Sequence, residues 1–356
     1  MKNIIYIFLL ISVLAKAQDN HFSEFYLTPY ALNPAMTGLF SGGDLRIMGV
    51  SRLQWPDALG LSKAYKTSAF ASDMRLPAQS GRDYIGVGAS FQTDKAGTSN
   101  FERTQVMISA AYCKNLRHKK SKDHFLLAGF EGGINNYNLS VENLRFLSQF
   151  NASDIYDASS PSPVFSEGYH DLHFGDMNAG IMWLTVMPKY YSFHIGASIY
   201  HANKPNVSFN AYKKMLPRLT LNFGSEYFLA HKRWALLTNV IAMKQGKSIE
   251  LNSGASLRYT LQLEKSELPY KAVQAGAYLR INNKLEKSIL ADALVISARI
   301  DYDKFIFGIS YDANISSLRV ASPTNGAYEI SMHRVFANRK NKGPICPNWN
   351  DKARFW

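Results

Sequence analysis

The sequence predicts an all-β protein, specifically a transmembrane antiparallel β-barrel of about 14 strands, and three observations support this. Apolar and polar residues alternate over long segments, as they do in strands whose two faces meet different surroundings. After the first twenty residues, no apolar run reaches the about 20 residues of a membrane-spanning helix. Only 19% of the residues are charged, which is below the ~25% of typical soluble domains.

The clearest alternation lies in residues 249–262, I-E-L-N-S-G-A-S-L-R-Y-T-L-Q. Ile249, Leu251 and Leu257 share a nearly apolar face, whereas Glu250 and Arg258 lie on a face of polar residues and glycine. The segment exceeds the about 5–6 residues of a typical strand and suits the about 9–11 of a tilted membrane strand. A long strand of a soluble all-β fold is the alternative interpretation.

The same alternation recurs along the chain and predicts an even number of strands, as in bacterial single-chain barrels. Cys113 falls on the inward face of its strand. The expected strands are 44–55, 66–74, 83–93, 102–115, 124–137, 177–187, 190–201, 216–229, 233–243, 249–262, 271–281, 290–301, 304–312 and 325–336.

The lengths of the connections favour the membrane barrel over the soluble fold. Tight turns near Pro188, His231 and Tyr302 fall at one end of the predicted barrel. The longer connections 138–176, 203–215 and 313–324 fall at the other end, although 264–270 and 245–247 depart from the rule. Outer-membrane barrels combine short periplasmic turns with long outer loops.

The chain divides into four predicted segments. Residues 1–17 have the basic start, apolar stretch and Ala15-Lys16-Ala17 cleavage site of a signal peptide. Residues 18–43, with two prolines and many aromatic side chains, are expected to form an N-terminal periplasmic or plug segment. Residues 44–336 form the predicted outer-membrane β-barrel, and 337–356 a basic periplasmic tail.

The net charge of +13 becomes +11 when Lys2 and Lys16 leave with the signal peptide. A basic chain often binds nucleic acid, but an exported protein meets little of it. We therefore expect no nucleic-acid partner. Outer-membrane lipids with anionic head groups or an acidic protein partner fit the charge better, and a generally solvated basic surface is the alternative.

Charged residues of the inward faces are expected to line the lumen, since a charge facing mid-membrane lipid costs a few kcal/mol. These possible lumen charges are Glu226, Glu250, Arg258, Arg280, Arg299 and Asp301.

The sequence has no His-Glu-x-x-His, no Gly-x-Ser-x-Gly and no phosphate-binding glycine loop, and we expect neither catalysis nor a cofactor. His170, Asp171, His173 and Asp176, placed in the predicted loop 138–176, are residue types that bind zinc or calcium. An exposed polar loop without metal is the alternative. Cys113 and Cys346 are either joined in a disulfide or remain as two thiols.

Several stretches resemble a known family. Residues 22–38, F-S-E-F-Y-L-T-P-Y-A-L-N-P-A-M-T-G, resemble the N-terminal signature of the PorP/SprF family. The R-L-Q-W of residues 52–55 and the glycine-rich block 86–97 resemble later family blocks, and I-C-P at 345–347 resembles its C-terminal motif, after which the sequence departs. The signature residues are Phe22, Pro29, Asn33, Pro34, Gly38, Arg52, Gln54, Trp55, Asp94, Gly97, Cys346 and Pro347.

The resemblance implies an outer-membrane protein of Bacteroidetes type IX secretion or gliding motility, without catalytic residues or cofactor. It implies export or surface anchoring of adhesin-like cargo on the outer side, and contact with machinery proteins on the periplasmic side. We expect loop 138–176 to engage the cargo, and the N-terminal segment and basic tail to contact the machinery. The alternative is a channel or transporter for small hydrophobic or anionic solutes, consistent with the interior arginines.

Overall fold

The computed structural model describes residues 21–56, 64–78, 83–97, 101–119, 122–139, 171–187, 191–208, 212–229, 233–262, 270–283, 289–316 and 325–336. The predicted signal peptide, most of loop 138–176, the tail 337–356, and Cys346 and Pro347 within that tail lie outside these residues. Within the described residues, no helix is long and apolar enough to cross a lipid bilayer.

Fourteen antiparallel strands form a closed barrel, which confirms the predicted fold class. Each strand pairs with its neighbours in sequence, and β1 closes the sheet against β14, from Leu45 opposite Phe336 to Gln54 opposite Ala327. The strands are β1 Leu45–Gln54, β2 Tyr65–Pro77, β3 Tyr84–Ala96, β4 Phe101–Lys119, β5 Lys122–Asn138, β6 Asp171–Met187, β7 Tyr191–Tyr200, β8 Arg218–Phe228, β9 Trp234–Gln245, β10 Ser248–Gln262, β11 Lys271–Asn283, β12 Ile289–Tyr302, β13 Phe305–Asn314 and β14 Asn325–Phe336.

The outer surface of the barrel carries the apolar half of each alternating pattern. Ile108 is 70% exposed, Ile330 64% and Leu221 61%. The shortest strands have 10 residues, enough for the about 9–11 that a tilted membrane strand requires. Large apolar side chains exposed all around a closed sheet are expected where the surrounding solvent is lipid.

The two ends of the barrel differ. The turn end carries the connections that follow the even-numbered strands β2 to β12, and both ends of the sheet, Leu45 and Phe336, meet there. The loop end carries the connections that follow the odd-numbered strands, including the 32 residues between Asn138 and Asp171. By the usual distribution of turns and loops, the loop end faces the cell exterior.

Strand β6 begins earlier than predicted. Asp171 pairs with Asn138 and Leu172 with Tyr137, so the ladder includes residues that we had expected in loop 138–176. The apolar outer face does not extend to this end of the strand, because Asp171 and His173, which face outward, are polar and exposed. Sequence periodicity reports the part of a strand that meets lipid, and a strand can continue beyond it.

Candidate functional site: the occupied lumen

Residues 21–44, called the lumen segment below, run through the interior of the barrel from the loop end to the turn end. Near the loop end, His21 Nδ1 lies 3.5 Å from Glu250 Oε2. At the turn end, the Asp44 amide donates to the Phe336 carbonyl at 2.9 Å, and the chain enters β1. Between them are three short helical turns, Phe25–Leu27, Pro29–Leu32 and Pro34–Met36. We expected residues 18–43 to form a periplasmic or plug segment that contacts machinery, and their described part lies inside the barrel.

Apolar side chains of the lumen segment form a core with inward residues of the barrel. Tyr26 stacks on Tyr278 of β11 with ring centroids 5.2 Å apart. Leu127 and Leu184, which point inward from β5 and β6, belong to the same buried cluster as Leu32 of the segment. The interior is therefore partly apolar, unlike the water-filled lumen of a porin. Burial of this surface stabilises the segment in its place.

Glycines on the inward faces of the strands allow the segment to approach the sheet closely. A Cβ on Gly129 of β5 would lie 2.4 Å from the Pro34 carbonyl oxygen, and one on Gly86 of β3 would lie 2.0 Å from that of Thr37. Such separations are far below van der Waals contact, so any side chain at these positions would displace the segment. This explains glycines that interrupt otherwise regular strands.

Asn33 is the central hydrogen-bonding residue of the lumen segment. Its Nδ2 donates to the carbonyl oxygens of Ile181 and Ala197, at 3.2 and 3.3 Å, and to Asn222 Oδ1 at 3.2 Å. Its Oδ1 accepts from the Ala35 amide at 2.9 Å and begins the helical turn after it. A single fully buried side chain thus joins the segment to β6, β7 and β8.

Toward the loop end, the segment binds carboxylates of β13 and β14. The backbone amides of Ser23 and Glu24 both donate to Glu329, each at 2.9 Å. Ser23 Oγ donates to Asp312 at 2.7 Å, and Ser331 Oγ donates to Glu24 at 2.8 Å. Burial and the neighbouring Glu329 carboxylate hold the pKa of Glu24 well above its usual range.

Two arginines balance this acidic group. Arg52 of β1 lies 2.8 Å from Asp312 and 3.2 Å from Glu329. Arg280 of β11 bonds Asp312 and Asp292, both at 2.9 Å. Removing one member of such a buried pair leaves an uncompensated charge and costs about 3–5 kcal/mol. The network therefore fixes β1, β11, β13 and β14 relative to the lumen segment.

A second anchor lies at the turn end. Arg46 and Asp73 form a bidentate pair, with contacts of 2.9 and 2.7 Å, and Asp73 also accepts from the Gly38 amide at 2.8 Å. Gly38 has a positive φ of 77°, which glycine adopts readily. The guanidinium groups of Arg46 and Arg75 lie 4.9 and 4.8 Å from the centre of the Phe40 ring. The segment is thus held at both ends by charged groups.

All of the possible lumen charges lie in strands with buried side chains that face the interior. Arg258 contacts Glu226 across the lumen side of β8–β10, and Arg299 contacts Asp301 at 2.7 Å. Only Arg280 belongs to the network around Asp312. The remaining residue of the set, Glu250, is the one near His21.

Sequence reasoning missed the acids and the turn-end pair that hold the segment. Asp312, Glu329, Asp73 and Arg46 are all nearly fully buried. The sequence did contain a signal for Asp312. It lies an odd number of positions from Phe305, a residue of the apolar outer face, so the alternation of the strand places its side chain on the inward face.

The signature residues occupy different places. Phe22, Pro29, Asn33, Pro34 and Gly38 belong to the lumen segment, and Arg52 bonds the acids described above. Gln54 ends β1 and Trp55 follows it, where the Trp55 ring meets the Tyr65 ring edge-on at 5.3 Å. Asp94 accepts from Thr67 Oγ1 at 2.5 Å, and Gly97 makes the following turn with a φ of 71°.

The possible metal cluster is not assembled by the described residues. Asp171 and His173 point outward from β6 and are exposed, while Asp176 points inward and its Oδ2 lies 2.7 Å from His201 Nδ1. His170 lies outside the described residues. No group of three or more potential metal-binding side chains occurs in the part of the chain that the structure describes. Cys113 is buried on the inward face of β4, as expected.

Comparisons with solved structures find other β-barrels. CdiB from Escherichia coli matches with a TM-score of 0.45 and 9% identity, over 81% of this chain and 62% of that chain. CdiB from Acinetobacter baumannii matches at 0.44 and 7%, over 82% and 60%. The deltaS2S3 mutant of the TodX monoaromatic hydrocarbon channel matches at 0.45 and 11%, over 88% and 94%. The chain thus spans about three fifths of the length of the CdiB chains.

Sequence comparison gives the more specific result. Among curated proteins, none matches the chain significantly. The model of the family described as "Type IX secretion system membrane protein PorP/SprF" matches residues 14–333. This covers the lumen segment and nearly all of the barrel, and it confirms the resemblance seen in the sequence. The chain therefore belongs to the PorP/SprF family of type IX secretion system membrane proteins.

Proposed function

We propose that this protein is a non-catalytic outer-membrane component of type IX protein secretion or gliding motility, which acts in export or surface anchoring of adhesin-like cargo. The observation that carries this proposal, beyond family membership, is the occupied lumen. The chain's own residues 21–44 fill the interior and are fixed at both ends by buried charges. A barrel built in this way is a rigid scaffold that presents loops, and binding residues commonly lie on such loops.

The alternative function, a channel for small hydrophobic or anionic solutes, has less support. The interior arginines that suggested an anion path each lie beside an acid: Arg258 at Glu226, and Arg299 at Asp301. Arg280 likewise contacts Asp312. Paired arginines contribute little net positive potential along a path, so the interior charges fit a structural role better.

On the periplasmic side, the predicted basic tail 337–356 is the proposed contact for secretion or motility machinery. Its Arg339, Lys340 and Lys342 stand in a sequence stretch with aromatic residues nearby. The lumen segment is not proposed for this contact because its side chains already pack within the barrel. On the outer side, the connection between Asn138 and Asp171 is the proposed contact for cargo, because it is the longest connection between strands.

The first test is a pull-down of the tagged protein from detergent-solubilised envelope, followed by mass spectrometry. Recovery of secretion-machinery proteins or of one large adhesin supports the proposal and identifies the partner. Recovery of the barrel alone contradicts it. Planar-bilayer recording of the purified protein then tests the alternative, for which a steady open pore is the expected result.

A second test addresses the outer connection. Deleting residues 140–169 and joining the ends with a short glycine-serine linker should leave the barrel inserted, because the described ladder ends at Asn138 and Asp171. Surface display of cargo should fall in this variant. A matched insertion of the same linker into the connection 315–324 controls for disturbance of the loop end. Undiminished display with a correctly folded barrel would remove the connection from the proposal.

A further inference from the structure

Four neighbouring strands carry a row of basic and aromatic side chains at the turn end of the barrel, called the rim row below. Lys271 of β11 lies opposite Tyr302 of β12, and Tyr302 lies opposite Phe305 of β13. Phe305 in turn lies opposite Arg334 of β14. Because neighbouring strands are about 4.8 Å apart, the row extends over about 14 Å of the barrel wall.

An apolar row adjoins the rim row on the side of the membrane centre. Its members lie two positions further along the same four strands, and they are Val273, Ile300, Phe307 and Met332. Their side chains are between 41% and 55% exposed on the outer surface. Since every second side chain of a strand shares one face, the rim row faces outward as well. The outer surface thus changes from apolar to basic and aromatic within one step along the strands.

The two cations of the rim row contact aromatic rings. Lys271 Nζ lies 5.2 Å from the centre of the Tyr302 ring. The Arg334 guanidinium lies 4.7 Å from the centre of the Phe305 ring and 4.5 Å from that of Phe336. Among the residues that the structure describes, no carboxylate forms an ion pair with either cation. A ring attracts a cation through its face but accepts few of its N–H bonds, so both side chains can still donate to an anion.

Lys114 of β4 shows a different arrangement at the same end of the barrel. It faces outward, two positions from the exposed Tyr112, and its Nζ lies 2.8 Å from Asp83 Oδ2. The Tyr112 hydroxyl donates to the same oxygen at 2.8 Å. The charge of Lys114 is therefore balanced by an acid of the protein, whereas the described residues supply no such acid to the rim row.

The tail that follows β14 carries the wrong charge to neutralise the rim row. Residues 337–356 contain five basic residues and one acidic residue, Asp351. By the usual distribution of turns and loops, the turn end faces the periplasm. The adjoining leaflet of an outer membrane consists of phospholipids, whose head groups contain phosphate. An anionic group is thus present in the membrane at the depth of the rim row.

We propose that the rim row binds the phosphate head group of an anionic phospholipid in the periplasmic leaflet, with the acyl chains lying along the apolar row. Guanidinium and ammonium groups both bind phosphate, and the guanidinium can do so through two parallel bonds. Aromatic side chains are favoured at the depth of the head groups. The inference concerns lipid binding alone and does not rest on the proposed role in secretion.

The position of the row in the sheet gives the binding a structural consequence. The row spans β11 to β14, and β14 closes the barrel against β1, where Arg334 lies opposite Ile47. A lipid bound along the row would contact several neighbouring strands beside this closure. Since a ligand that binds only the folded state stabilises it, bound lipid should stabilise the closed barrel.

The test titrates phosphatidylglycerol into the full-length protein in nonionic detergent and counts bound lipids by native mass spectrometry. Wild-type protein should bind phosphatidylglycerol more tightly than the zwitterionic phosphatidylcholine. Lys271→Gln and Arg334→Gln should each weaken phosphatidylglycerol binding about fivefold, and the double variant about thirtyfold, from the typical contribution of a basic residue near anionic lipid. Binding of phosphatidylcholine by the double variant should change little, because the apolar row is intact.

Lys114→Gln is the matched control, since it removes one positive charge from the outer face at the same end of the barrel. It should weaken phosphatidylglycerol binding less than twofold. Heat-dependent electrophoretic mobility checks that every variant retains a folded barrel. Equal weakening by Lys114→Gln, no weakening in the double variant, or no preference of the wild type for phosphatidylglycerol overturns the proposal.

Two further measurements separate the lipid from other occupants. An excess of glycerol 3-phosphate should displace little phosphatidylglycerol, because it lacks the acyl chains, and complete displacement would assign the row to a free phosphate compound instead. The pull-down described above, repeated with the double variant, should recover the same proteins as wild type. Loss of those proteins without any lipid preference would make the rim row a protein contact and overturn the lipid assignment.

Discussion

Replacing Asn33 by alanine should release the lumen segment without disturbing the barrel. The side chain makes three donor contacts of 3.2–3.3 Å and accepts one bond of 2.9 Å. All four connect the segment to itself or to the inner wall. The ladder bonds of β6, β7 and β8 do not involve this side chain. Asn33→Ala therefore acts on the segment far more than on the sheet.

The expected size follows from these contacts. A hydrogen bond contributes about 0.5–1.5 kcal/mol net, and the two N–H groups of the Asn33 amide can make about two such bonds to the barrel wall, so their loss should cost about 1–3 kcal/mol. Because 1.4 kcal/mol is a factor of ten, the ratio of open to occupied lumen should rise by about fivefold to a hundredfold. Planar-bilayer recording measures this ratio as the frequency and duration of channel openings.

The control is Thr28→Val, which alters a buried residue of the same segment whose hydroxyl donates locally, to the Phe25 carbonyl at 3.3 Å. It should open the lumen much less than Asn33→Ala. Heat-dependent electrophoretic mobility checks that each variant retains a folded barrel. A folded Asn33→Ala barrel with no more openings than wild type would refute the idea that this side chain retains the segment.

Three further predictions concern the interior of the barrel and its apolar outer surface. Gly129→Ala should also increase openings, because its Cβ would lie 2.4 Å from the backbone of the segment, whereas Gly49→Ala, with nothing within 4 Å, should not. Openings should also become more frequent as pH rises from the ordinary glutamate pKa through the raised pKa of Glu24, because the occupied state favours the protonated form of this side chain. Glu24→Gln should flatten this pH dependence, and openings that become rarer with rising pH would contradict it. Ile108→Lys changes a highly exposed residue of the apolar surface and should lower the free energy of unfolding, measured by urea titration in liposomes, by about 2–4 kcal/mol. Ile315→Lys, beyond the end of β13, should lower it clearly less.

The prediction of strands succeeded because each strand meets lipid on one face and the interior on the other. In β10, Leu257 is 42% exposed while its neighbours Ser256 and Arg258 are buried, as the period of two requires. The boundaries of β6 were predicted less well. Its first residues, beginning at Asp171, leave the apolar region: Asp171 and His173 face outward, whereas Leu172 and Phe174 face inward, so the alternation is reversed relative to the rest of the strand.

The sequence by itself determined the barrel, its closure by an even number of strands and its family, because periodicity and short motifs are local properties. Only the tertiary structure decided that residues 21–44 occupy the lumen. Asn33 meets Asn222 across 189 positions of sequence, and the Ser23 amide meets Glu329 across 306. Contacts this distant leave no periodic signal, since they depend on how fourteen strands close around the segment.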